Sequence, residues 1–212
     1  MATTTPTLTE NQRIKLIAQI KLNDTFKGKS VSALNALSSN IIPYLTDYFM
    51  LVNDLHEGLK EENRKIYFDY SFVISPVHKA LECFLKGALE VIFRLEVSKN
   101  KPIGMYLKYE ENRKKKILEE MKKLPWGKKI SSDKWIERWE ALNQQWKNNR
   151  HPIAHPEQER ILNLTKADQV AGAIIREIEI SLRLFIEEFL DPLVDYVDKQ
   201  EKLKAKEAKK VD

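Results

Sequence analysis

Trp135, Trp139, Leu142 and Trp146 follow one another at spacings of four, three and four residues. On a helix that spacing lays all four on one narrow stripe, and three indoles on one stripe require a large complementary apolar surface. A chain carrying such a stripe folds by packing helix against helix. The rest of the sequence agrees, because apolar residues recur at helical spacing in most segments and only six glycines occur in 212 residues. The expectation is an all-α protein.

The helices can be placed in outline. A short helix is expected over residues 11–22, followed by a polar connection and a helix over 42–59. Residues 60–75 read as a further connection, whose "IYFDYSFVI" could be mistaken for a strand. Ser75 then suits an N-cap and Pro76 the first helical position of a helix ending near Val97. Its inward side would carry Val77, Leu81, Phe84 and Ala88, and its outward side Lys79, Glu82, Lys86 and Glu90. A basic helix is expected over 105–123, and the tryptophan helix over 133–150. Pro152 and Pro156 disfavour helical geometry at His151 and His155, so an extended connection should follow. Thr165 with Asp168 has the form of a capping box opening a long helix to residue 190, which "LDPL" interrupts. The layout is an N-terminal helical arm over 1–40, a helical domain of four to five core helices over 41–198, and a basic flexible tail over 199–212.

Composition narrows the function classes. Hydrophobic residues make up 42% of the chain, which is ordinary for a globular protein. The longest uncharged run, Ser30 to Thr46, is broken by Ser, Asn and Pro43, so neither a membrane helix nor a signal peptide is expected. Cys83 is the lone cysteine, which fits packing in a reducing cytoplasm. The net charge of +5 is concentrated: residues 108–129 hold nine Lys or Arg against four Glu, and residues 199–212 hold six Lys against three acids. Basic segments on a near-neutral body suit a polyanion such as RNA, or else form a solvated helix face. Arg113, Lys114, Lys115, Lys116, Lys122 and Lys123 are the residues expected to draw in an RNA backbone. Trp126 is either a base-stacking or a core residue.

The chemistry concentrates in "WKNNRHPIAHPEQER", residues 146–160, which holds Arg150, His151 and His155. Two other motifs fail. "KGKS" at 27–30 has Asn23 where a phosphate-binding loop needs its first glycine. His151 and His155 have the spacing of a zinc pair, but the prolines oppose a helix there and no third ligand is near, so no metal or other cofactor is expected. An arginine beside a histidine suits phosphodiester cleavage instead. Imidazole moves protons near neutral pH, and guanidinium holds the charge that builds on the phosphoryl oxygens. The structural alternative is that Arg150 caps a helix C-terminus and His155 is a surface turn residue.

"RHPIAH", with a polar residue after the arginine and four residues before the second histidine, resembles the Arg-x4-6-His motif of the HEPN superfamily of all-α domains. The resemblance covers about residues 44–196. It implies a metal-independent endoribonuclease of toxin or antiviral-defence type, with RNA as substrate and the two motifs of a homodimer facing one cleft. Products would carry a 2′,3′-cyclic phosphate and a 5′-hydroxyl. Arg150 and His155 would form the site, with His151 as a second-tier member. "SPVHKALECFLKGALEVI" is similar to a helix in the HEPN domain of RNase LS-type toxins, where the residue matching Glu82 belongs to the catalytic site. Glu82 would orient His155 or raise its pKa; its alternative is an ion pair with Lys86. An antitoxin or regulatory partner follows from the toxin resemblance, and a non-catalytic RNA-binding or dimerising HEPN module is the alternative to the nuclease.

Overall fold

A computed structural model of the chain describes residues 10–26, 28–58, 69–93, 97, 103, 111–154, 161 and 163–208. Among them every regular element is helical: α1 (Glu10–Thr25), α2 (Lys29–Leu37), α3 (Ile41–Gly58), α4 (Ser71–Val91), α5 (Glu111–Lys122), a 3-10 turn (Gly127–Lys129), α6 (Ser132–Ala154), α7 (Leu164–Phe185), a π turn (Ile186–Leu190) and α8 (Asp191–Ala208). The central element is α4, which packs against α2, α3, α6 and α7. Its sequence explains this position. Val73, Ile74, Val77, Ala80, Leu81, Phe84, Leu85, Ala88 and Leu89 are all buried, a wider apolar arc than a surface helix presents.

Residues 29–37, read from sequence as part of a polar connection, form α2 instead. The reason is tertiary. Ala33, Leu34 and Leu37 join the same buried cluster as α4, so burial overrides a weak local preference. Gly87 permits the approach, because a Cβ there would lie 2.3 Å from the Leu37 carbonyl oxygen. Leu22 and Phe26 join this cluster too, so the described part of the N-terminal arm is packed onto the bundle.

The start of α4 also differs from the sequence expectation. The helix begins at Ser71, so Pro76 lies inside it and Ser75 is not its cap. Asp69 supplies the missing capping: its carboxylate accepts from the Ser71 amide at 2.9 Å and the Ser71 hydroxyl at 2.7 Å. The same carboxylate accepts from the Ile161 amide at 3.1 Å, while the Tyr70 amide donates to the Ile161 carbonyl at 2.8 Å. Asp69 thereby fastens the chain that leads into α7 onto the start of α4.

Two further boundaries shift. Asn163, rather than Thr165, caps α7, its side chain accepting from the Lys166 amide at 2.7 Å. That leaves Asp168 free of capping, and it bonds across the bundle to His56 at 2.9 Å and to the Tyr48 hydroxyl at 3.3 Å. The predicted interruption at "LDPL" is a single widened turn, Ile186–Leu190, through which the helix continues into α8. The widening aims Glu188 inward. Although only 7% exposed, its carboxylate accepts from the Ser131 amide at 2.8 Å and from the Trp135 indole N–H at 3.0 Å.

Candidate active site

Against α4, the last turns of α6 bring four side chains together: His78 and Glu82 from α4, Trp146 and Arg150 from α6. Each pair is one turn apart on its helix, so each lies on one face. The Trp146 ring is buried, and its indole N–H donates to Glu82 Oε1 at 3.0 Å. His78, only 6% exposed, lies nearly parallel to the indole, with ring centres 6.2 Å apart and an interplanar angle of 27°. Its Nε2 is 3.3 Å from the Trp146 carbonyl oxygen. A carbonyl only accepts, so Nε2 carries the hydrogen and Nδ1 the lone pair of the neutral ring. On the solvent side, the Arg150 guanidinium carbon sits 5.0 Å from the centre of the Trp146 ring, while Arg150 itself is exposed. This cation–π contact orients the guanidinium through its flat face and leaves its edge of N–H donors to meet an anion. The order of support is therefore Glu82 to Trp146 to Arg150.

Glu82 is thus not an exposed partner of Lys86. It holds the ring that seats the arginine. His78 was not among the residues singled out from sequence, because a histidine between Val77 and Leu81 reads as part of an apolar face. Its signal was the one-turn spacing to Glu82. Burial holds the His78 imidazole below the usual histidine range, with a smaller push the same way from Arg150; the bond to the Trp146 carbonyl and the Glu82 carboxylate oppose it. Because the folded state disfavours protonation, the unfolded chain binds more protons below the ordinary value of 6.5. The stability contributed by neutral His78 is complete above that pH and declines below it. A His78→Gln variant should lose less melting temperature than the parent between about pH 7.5 and about pH 5.5, as followed by circular dichroism. Equal losses in both proteins would remove His78 as the cause.

The continuation of α6 departs from expectation. Helix persists through His151 and Pro152 to Ala154 instead of ending at Arg150. The bias that a proline imposes on the preceding residue is a preference, and a proline in a last turn disturbs only the end of the helix. The His151 side chain and the whole of His155 lie outside the described residues, as does the Arg113 side chain.

The basic helix α5 divides in two. Lys114 is only 1% exposed, with its ammonium 4.7 Å from the centre of the Trp139 ring, so its expected role on an RNA-facing surface is corrected to an interior one. Its position one helical turn before the buried Leu118 puts it on the inward face of α5. Lys115, Lys116 and Lys123 are exposed and Lys122 is half-buried. Three of these make ion pairs: Lys115 with Asp133 at 3.3 Å, Lys122 with Glu119 and Lys123 with Glu120, both at 2.7 Å. Solvated pairs of this kind are weak and exchange readily for another anion. Trp126 is half-buried, its ring 6.2 Å from that of Phe189. Cys83 packs against the core, and burial pushes its thiol up, away from reactivity.

No described helix is long and apolar enough to cross a membrane. Comparison with known proteins gives one family match: residues 59–157 match the model of "RNase LS, bacterial toxin DBD domain". No curated protein and no solved structure matches the chain. The matched stretch covers somewhat less than half of the chain and contains both α4 and the Arg150 to His155 motif. This part of the all-α bundle is similar to a domain of a bacterial ribonuclease toxin.

Proposed function

We propose that the chain is a metal-independent endoribonuclease of the HEPN type, acting as a toxin or defence nuclease. The observation that carries this reading is the seating of Arg150. An exposed guanidinium backed by a buried indole, itself fixed by Glu82, is a preorganised anion clamp. It stands at the end of the helix whose motif continues to His155, within a stretch similar to a ribonuclease toxin domain.

In the proposed reaction His155 takes the proton of an RNA 2′-hydroxyl. The 2′-oxygen attacks the adjacent phosphorus while the bond from phosphorus to the 5′-oxygen breaks. Arg150 holds the non-bridging oxygens as their charge rises, the leaving 5′-oxygen takes a proton from water, and His155 returns its proton to the solvent. The products are a 2′,3′-cyclic phosphate and a 5′-hydroxyl. A homodimer presenting two motifs to one cleft, with His151 at its edge, completes the reading; the exposed lysines of α5 attract the strand.

The test is incubation of the purified protein with a mixed RNA in EDTA, followed by mapping of product ends. Cyclic phosphate ends are the expected result. Cleavage that stops in EDTA, or RNA binding without cleavage, would overturn the nuclease reading, and the latter would favour a binding module.

A further inference from the structure

A cleft of about 220 Å³ opens between the last turns of α6 and the first turns of α7, and its walls are built largely of carboxamides. Gln145, Asn148 and Asn149 line it from α6, and Lys166, Gln169 and Val170 from α7. Two of these amides are locked together. The Asn149 amide nitrogen donates to the Gln145 backbone carbonyl at 2.8 Å and to Gln145 Oε1 at 3.0 Å. A backbone carbonyl only accepts, so the first bond fixes which way the Asn149 amide faces. The second bond then fixes Gln145. What the pair has left is the Gln145 Nε2 donor and the Asn149 Oδ1 acceptor, neither of which has a further partner among the described residues.

A donor and an acceptor on two bonded amides whose facing is fixed are the groups that read the edge of a nucleobase, since the edge of each base carries such groups. Val170 supplies an apolar patch to the same cleft, and the exposed Lys166 supplies a cation. Asn149 directly precedes Arg150. The two side chains point about 100° apart around α6, so the cleft opens on the flank of the arginine rather than behind it. Because Asn149 neighbours Arg150 along α6, a strand held at Arg150 would pass the flank on which the amide pair lies.

We propose that this cleft is a nucleobase subsite that selects the nucleotide beside the scissile phosphate, reading its edge with Gln145 Nε2 and Asn149 Oδ1. The inference rests on the nuclease reading for the identity of the strand, but it concerns binding and is testable apart from cleavage. The probe is a set of short fluorescent 2′-O-methyl RNA oligomers, which have no free 2′-hydroxyl to attack, in which each position in turn is made abasic, titrated onto the parent protein. One abasic position should weaken binding about tenfold, the scale of a good two-point base contact. In Gln145→Leu, and separately in Asn149→Leu, that penalty should disappear. Gln169→Leu, on the facing wall, serves as a third variant if either α6 change unfolds the protein.

An abasic scan without position dependence, or a penalty that survives in all the leucine variants, overturns the subsite. The two readings fail separately. Cleavage by the parent protein whose base preference is the same in the leucine variants removes only the subsite. Base-dependent binding that the leucine changes abolish, in a parent protein that cuts nothing, removes only the nuclease.

Discussion

Arg150→Ala is expected to slow RNA cleavage by about 10²–10³-fold, the usual cost of removing one preorganised donor group from a developing oxyanion. The fold should hardly notice. Arg150 is exposed, and among the described residues its guanidinium contact is the Trp146 ring, so the thermal unfolding curve should stay close to that of the parent. Arg150→Lys should recover little, because an ammonium has neither the flat face that stacks on Trp146 nor the fork that grips two oxygens. His155→Ala should match it in slowing cleavage. Glu82→Gln gives the graded control: a neutral amide oxygen still accepts from the Trp146 indole, so the seat weakens without emptying. Single-turnover rates in EDTA decide the matter. A full rate in Arg150→Ala would remove this cluster from the chemistry altogether.

The largest loss of stability should come from Glu188→Ala. One carboxylate oxygen satisfies both the Ser131 amide and the Trp135 indole N–H at the start of α6, and alanine leaves two donors without an acceptor. A buried orphan costs about 1–3 kcal/mol, so with one buried and one half-buried donor about 3 kcal/mol is expected, before any cavity is counted. For a chain of this size that corresponds to a fall in melting temperature of roughly 6–12 °C. Glu188→Gln keeps an acceptor oxygen and should lose far less. Equal losses in the two variants would show that the acceptor is not what matters. In that case the turn at Ile186–Leu190 would need another explanation for its inward carboxylate.

What could be read from the residues alone followed physical rules of short range. The tryptophan stripe predicted a helix with a buried side, and Trp135, Trp139, Leu142 and Trp146 are all buried on α6. Periodicity carried the long helices for the same reason. The misplacements come from partners distant in sequence. Asp69 moved the start of α4, the contact at Gly87 made a helix of residues 29–37, and the Trp139 ring drew Lys114 inward. Of the candidate site, Arg150 and Glu82 were legible as residues but not as a linked pair. The link is Trp146, which from sequence belongs only to the core. His78 was hidden for a like reason, since its bond runs to a backbone carbonyl 68 residues away. His151 and His155 stand as readings of the motif.

The Asp69 clamp has a consequence for how the molecule opens. Asp69 Oδ1 accepts from the amides of Ser71 and of Ile161, residues that no single helix contains. Losing that carboxylate frees both at once. In the language of hydrogen exchange, Ile161 is therefore expected to share opening events with the first turn of α4, although α7 begins only a few residues later. The helix that carries His78 and Glu82 is thus tied at its start to Ile161, 92 residues beyond Asp69.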